Sequence, residues 1–437
     1  MRRTGAVAAV AAAVALALVS SGCTSGAGDP VSTPTVAAVP VVSPAGRSGK
    51  AVVVSPEDCP EPARAADGFR TASVRPSWKP LSVTEEEGTL HSGAMASDGV
   101  LWALHDTRKA PMTLRRWQDG RWETAAAPSR VKAVKALAAS PGGGIWAAEP
   151  GAGSWHGTGT WKVGVREGDG WRELALALSD QEMGNSVAHA HGGWVSFGSV
   201  AVHWDGASWK RLALPVGQRP EGATDAYRLF GSGEELWAVP TEGSKAVRLR
   251  DGVSQVVEFA LRIDAKEAVH GSQGGAFRPQ AVAVTGTDET WVLGAAAFGT
   301  HYLDENEDTD AGRLVALRHT RGRWSCTWGP FHREEFRGAF TEAVPDGDGG
   351  LWAVTAESTL WHLRGGRWTR ERLPVDGGAG EHLPVDGGAG ERLPVGKGSE
   401  PSVTDLVATG REIYALGSVT SGGRSHGALW RTGQARP

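Results

Sequence analysis

Hydrophobic and polar positions alternate with a period of two over short runs along most of this chain, and the runs come in sets. The clearest set is Gly349 to Pro374, GGLWAVTAESTLWHLRGGRWTRERLP. It reads as strand, turn, strand, turn, strand, because apolar residues recur at alternate positions and Gly pairs punctuate them. Its landmark is an aromatic residue in a Leu-Trp-Ala-like strand. Equivalent landmarks are Trp102, Trp146, Trp194, Trp237, Trp291, Trp352 and Tyr414, spaced by 44, 48, 43, 54, 61 and 62 residues.

Each unit has an apolar strand before the landmark and two strands after it. The last two strands are joined at Asp119-Gly120, Asp169-Gly170, Asp205-Gly206, Asp251-Gly252, Arg321-Gly322 or Gly365-Gly366. Asp-Gly suits a two-residue hairpin, in which both central residues take positive φ. A Trp then opens the fourth strand: Trp122, Trp171, Trp209, Trp324 and Trp368, with Val256 in the fourth unit. Short strands at a period of ~40–60 residues predict a radial repeat. The expected fold is all-β, a seven-bladed β-propeller of four-stranded antiparallel blades. The seventh unit, ending near Arg431, lacks a fourth strand, whereas Pro76 to Val83 has an outer-strand pattern with no unit before it. The ring is therefore expected to close by an N-terminal strand in the last blade. The many Trp, 19 in all, are expected to fill the gaps between blades, where a large flat side chain buries ~150–250 Å².

The first 22 residues have a different character. Arg2 and Arg3 precede an apolar run from Ala6 to Val19, 14 residues long. That is short for a span of ~20 residues and suits the core of an export signal. Leu18-Val19-Ser20-Ser21-Gly22-Cys23 follows. It resembles the lipobox of bacterial lipoproteins, departing from it at Ser20, and implies lipidation of Cys23 and a place on the outer face of the cytoplasmic membrane. Residues 23–56 are rich in Gly, Ser, Thr, Pro, Ala and Val and read as a disordered tether. Residues 57–437 are assigned to the propeller: a rim-crossing leader at 57–75, the closing strand at 76–83, and blades from 84.

Candidate chemistry is sparse. A net charge of −4 offers no basic field for nucleic acid. Asp304, Asn306, Asp308 and Asp310 stand at alternate positions, as in a calcium loop, but the twelfth position is Val315, with no carboxylate; an acidic insertion equally suits a solvated loop. His189 and His191, with His203 on a neighbouring strand, could hold zinc or copper, or could simply line a turn. Trp155 and His156 lie in a Gly-rich loop off the repeat and could contact a ligand or pack beneath their own loop. A ten-residue near-duplication from Glu371 to Gly390 reads as a surface insertion.

With Cys23 lipidated, Cys59 and Cys326 remain, both in an oxidising compartment. From Cys59 to Trp78 the chain has 19 steps, enough to span ~60 Å when extended, so Cys59 can reach the fifth unit and a disulfide is expected. No nucleophile elbow, Walker loop or zincin motif occurs, so no catalytic or cofactor-binding residue is assigned. The repeat from Trp78 to Arg431 resembles kelch and galactose-oxidase-like propellers. Gly pairs here precede the landmark strand, as at Gly143, Gly192 and Gly349, where kelch units place them after it, so no family function is implied. The expected role is non-catalytic binding or scaffolding of a protein or envelope glycan. The alternative is a polysaccharide lyase or hydrolase acting at the channel mouth.

The anchor has a direct test. Cys23→Ala should release the protein from the membrane fraction and abolish incorporation of a palmitate analogue, since two or more acyl chains hold far more firmly than one. Retention of the variant, with no label on the wild type, would show that Cys23 carries no lipid.

Overall fold

The computed structural model describes residues 49–60, 69–70 and, from Trp78 to Thr432, the strands and most of their turns. Residues 1–48, 150–158, 179–188, 215–226, 263–274, 299–310, 333–339, 376–398 and 433–437 are the longest stretches outside that description. All regular elements among the described residues are strands.

They form seven sheets. Sheet 1 contains Thr89–Met95, Leu101–Thr107, Ala110–Gln118 and Arg121–Ala125. Sheet 2 contains Ala136–Ala139, Ile145–Glu149, Gly159–Glu167 and Gly170–Leu178. Sheet 3 contains His189–His191, Trp194–Phe197, Val200–Trp204 and Trp209–Ala213. Sheet 4 contains Tyr227–Ser232, Glu235–Pro240, Lys245–Arg250 and Val253–Phe259. Sheet 5 contains Ala276–Gly286, Glu289–Phe298, Ala311–Thr320 and Arg323–His332. Sheet 6 contains Phe340–Pro345, Leu351–Thr355, Leu360–Arg364 and Arg367–Glu371. Sheet 7 contains Glu400–Thr409, Glu412–Ser421 and Arg424–Thr432, with Trp78–Glu87 as its fourth strand.

Strands within each unit pair antiparallel in sequence order. The first strand of each sheet touches the first strand of the next, and that of sheet 7 touches that of sheet 1. This radial order of four-stranded antiparallel blades is a β-propeller. The two-residue turns behave as their chemistry requires: Asp119 and Gly120, Asp251 and Gly252, and Arg321 and Gly322 all have positive φ. The right-handed strand twist selects that turn geometry.

Every landmark aromatic sits on the second strand, and its partner on the third strand is an Arg or a His in all but one sheet. The pairs are Trp102 with Arg116, Trp194 with His203, Trp237 with Arg248, Trp291 with Arg318, Trp352 with His362 and Tyr414 with Arg431; Trp146 faces Val165. His362 stacks flat on Trp352 at 3.9 Å, and the Arg318 guanidinium lies 5.3 Å from the Trp291 ring centre. Three of these cations are held by a carboxylate two residues before the landmark: Glu235 on Arg248 at 2.8 Å, Glu289 on Arg318 at 2.8 Å and Glu412 on Arg431 at 3.3 Å. Asp346 does the same for His362 at 3.1 Å. Glu235 is the most enclosed of them. Burial alone would raise its pKa, but hydrogen bonds from Arg248, Trp237 and Thr290 outweigh this and hold it below the usual carboxylate value.

Between sheets, aromatic edges meet aromatic faces. Trp171 of sheet 2 packs edge-on against Trp102 of sheet 1, and Trp78 against Trp352 of sheet 6 at 5.0 Å. Trp368 and Trp430 are fully buried. The start of the duplicated segment is not the surface insertion expected of it: Glu371 and Leu373 are buried and the Pro374 carbonyl accepts the Trp430 indole N–H; residues 376–398 lie outside the description.

The leader runs along the outer edges of sheets 4 to 7. Val52–Val54 adds a fifth, parallel strand to sheet 4, beside Val257–Phe259. The tether boundary placed at 56 is therefore too late, because backbone groups from Gly49 onward already pair with sheet 4. The Val52–Val54 run reads as tether by composition, yet it is a short β-branched segment that an open edge can accept. Cys59 and Cys326 are joined by a disulfide with Cα atoms 5.5 Å apart, on the outer strand of sheet 5. Phe69–Arg70 then pairs parallel with Trp368–Thr369 of sheet 6. Trp78–Glu87 finally pairs antiparallel with the last strand, Trp78 facing Thr432 and Val83 facing Ala428.

The disulfide closes 267 residues of sequence separation. Chain entropy sets a ceiling of ~5 kcal/mol for such a loop, and strain and residual unfolded structure usually lower it to ~2–4 kcal/mol. Cys59→Ser with Cys326→Ser should lower unfolding stability by that amount in a denaturant titration, and proteolysis under native conditions should begin in 49–77. An unchanged midpoint would show that the strap adds nothing to the ring.

Candidate functional site on the first strands

Four of the seven first strands carry a register irregularity at a similar place: between His91 and Ala94, Pro279 and Ala281, Phe340 and Glu342, and Val403 and Asp405. A bulge adds one residue to one strand and re-aims its side chain. Here those residues join one sheet to the next. The Gln280 carboxamide oxygen accepts from the Phe340 amide at 2.9 Å. Thr404 donates its hydroxyl to the Leu90 carbonyl at 2.6 Å. Ser92 takes positive φ at 52°, and Gly93 follows because a Cβ there would lie 2.4 Å from Leu416 and from Val407.

Three charged groups converge among these bulges. Arg228 comes from sheet 4, Glu342 from sheet 6 and Asp405 from sheet 7. Arg228 reaches past sheet 5: its guanidinium donates to the Thr341 carbonyl and stands 3.9 Å from the Glu342 carboxylate. Asp405 accepts from the Gly93 amide of sheet 1 and from its neighbour Leu406 at 2.8 Å. Glu342 accepts from the Ala343 amide at 3.1 Å.

About a quarter of the Arg228 and Glu342 side-chain surface is open, but protein surrounds both on every other side, so their hydration is poor. Burial pushes the Glu342 carboxyl up to about 8, with the Asp405 charge adding and Arg228 opposing. Burial likewise raises Asp405, to about 6, against its two amide donors and Arg228. Two carboxyls facing one guanidinium in poor solvent cannot both ionise easily, so one proton is retained near neutral pH. Chemically, the cluster offers a protonated carboxylic acid, a carboxylate and a fixed cation.

The residues singled out from sequence fall elsewhere. Cys23, Trp155, His156, Asp304, Asn306, Asp308 and Asp310 lie outside the described residues. His191 and His203 each pair with Trp194 from opposite sides, while His189 faces Ser196; the His203 ring packs on Trp194 at 4.9 Å, the place an Arg or His takes beside other landmarks. Among the described residues no group of three or more His, Cys, Asp or Glu could hold a metal ion. Sequence reading passed over Arg228, Glu342 and Asp405. Their signal was a charge inside a first strand, 9 or 10 positions before the landmark of its unit: Trp237, Trp352 or Tyr414.

No family model and no curated protein sequence matches this chain. Solved structures do resemble it. YCF48 bound to a D1 peptide aligns over 84% of this chain and 99% of its own, at 13% identity and a TM-score of 0.46. The GH93 α-L-arabinofuranosidase of Fusarium graminearum with arabinobiose covers 81% and 98%, at 9% and 0.41. The Penicillium chrysogenum α-L-arabinanase covers 80% and 98%, at 11% and 0.40. These values are too low to carry a ligand or an activity across.

The carboxyl pair has a pH signature. Glu342 binds its proton more tightly folded, at about 8, than in an ordinary carboxyl at 4.5. Its contribution is thus fully present below 4.5 and is lost as pH rises through 8. Glu342→Gln removes the ionisation and should stabilise the protein by ~1–3 kcal/mol at pH 8 while changing little at pH 4.5. Equal melting shifts at both pH values would contradict the assignment.

Proposed function

We propose that this protein is a lipid-anchored extracytoplasmic module whose single seven-bladed ring, closed by Trp78–Glu87, binds or scaffolds a protein or an envelope glycan without turning it over. The observation that carries this reading is the use made of the first-strand polar groups. Arg228, Gln280, Thr404 and Asp405 spend their hydrogen bonds joining one sheet to another. Groups so employed hold a platform rigid; they are not left open toward a reacting bond. The leader supports the same reading. Its described parts pair with or bond to the outer strands of sheets 4 to 7, so a tether from Cys23 would enter the domain at an outer strand. Residues 23–48 would form that tether, in an oxidising compartment where the disulfide persists.

One observation favours the alternative hydrolase or lyase. Glu342 and Asp405 are titratable groups of raised pKa from different blades, a common mark of acid–base sites. A single experiment separates the two. The full-length protein, reconstituted in vesicles, is incubated with purified envelope polysaccharide and with envelope extract. The binding reading expects a saturable retained component of unchanged mass. Progressive shortening of the polysaccharide, abolished by Glu342→Gln and by Asp405→Asn, would overturn it and assign an enzyme.

A further inference from the structure

The turn that leads from the closing strand of sheet 7 into sheet 1 is built around one histidine. His105, on the second strand of sheet 1, is fully buried, and neither ring nitrogen has a hydrogen-bond partner among the described residues. Gly88, the residue between the two strands, lies against it so closely that a Cβ there would be 2.5 Å from Nε2. The Gly88 amide donates to the Ser425 carbonyl of sheet 7 at 2.8 Å, so backbone from both sheets meets over the ring.

We propose that His105 makes this joint acid-sensitive: protonation of its imidazole favours a state in which the Thr84–Gly88 segment lifts from sheet 1 and admits water. The charged neighbours come from each element around it. Arg115 is on the third strand, Glu86 on the closing strand, Asp106 on its own strand and His91 on the first strand. Glu86 already pairs with Arg115, and its carboxylate lies 3.7 Å from Nδ1, beyond hydrogen-bond range. A new cation would therefore stand beside Arg115 with no acceptor of its own unless Glu86 moved. Moving Glu86 breaks its pair with Arg115 and shifts the turn that carries it.

Burial, then the Arg115 charge, lower the His105 pKa from 6.5 to about 4, and Glu86 and Asp106 recover only part of this. A proton thus binds the open joint ~300-fold more tightly than the closed one. The closed joint is favoured above 6.5, and its advantage is lost progressively as pH falls from 6.5 toward 4. The Glu342–Asp405 pair works in the opposite direction, so it cannot imitate this effect.

The test is backbone hydrogen exchange on the full chain at pH 7.5 and pH 4.5, corrected for intrinsic rates. Peptides covering 84–91 should exchange at least ~10-fold faster at the lower pH, peptides covering 276–298 of sheet 5 should not, and His105→Leu should abolish the difference. The same gain in His105→Leu, or none in the wild type, would overturn the proposal. Should His105→Leu not fold, the imidazole is titrated by NMR in the unaltered protein. A midpoint below 5 supports the joint, and a midpoint near 6.5 ends it.

Discussion

Twisted sheets set radially leave a wedge between neighbours that widens outward, and much of this structure is an answer to that wedge. Aliphatic residues and Phe fill it at the first strands, as with Leu90, Phe230, Phe277 and Phe340. Large flat ones are needed further out, and the Trp supply them. Trp171 against Trp102 and Trp78 against Trp352 are edge-to-face contacts, the arrangement that ring quadrupoles favour. An indole placed there still needs its own face covered, and an Arg or His on the third strand does this. Arg318 over Trp291 and His362 on Trp352 are two forms of one solution. A carboxylate then bonds the third-strand Arg or His in several sheets, so three residue types on adjacent strands act as a unit.

The same geometry explains why the polar groups on the first strands are so few and so coupled. Where strands converge there is little room for water. A charge placed there must find a partner on another sheet or give up its ionisation. Arg228 takes the first course and Glu342 the second. The bulges make this possible, because an uninterrupted strand would aim the side chain along the pleat and not at the next sheet.

The leader adds a constraint of a different kind. Outer strands of propeller blades present unpaired backbone edges. Sheets 4 and 6 have theirs covered by short parallel strands from the leader, and sheet 5 between them is joined to it by the disulfide. The segment that supplies the closing strand therefore also shields the edges it passes.

Much of the architecture was legible in the amino-acid order, because its causes are local. Strand alternation, Asp-Gly turns and an aromatic residue near the start of each second strand depend on neighbours in sequence, and they repeat. The carboxylate before Trp237, Trp291 and Tyr414 was equally visible as Glu-x-Trp or Glu-x-Tyr, though its partner on the next strand gave it meaning. The cluster of Arg228, Glu342 and Asp405 was not legible. These residues are separated by 114 and 63 positions, in first strands that otherwise look like plain core, and only radial convergence brings them together. The same holds for His105, an ordinary histidine in an apolar run until Gly88 and Glu86 of the incoming strand close over it. Local chemistry determined the strands, their turns and their number in each unit. Tertiary structure alone decided which charges share a poorly hydrated space, since that depends on distances across the ring and not along the chain.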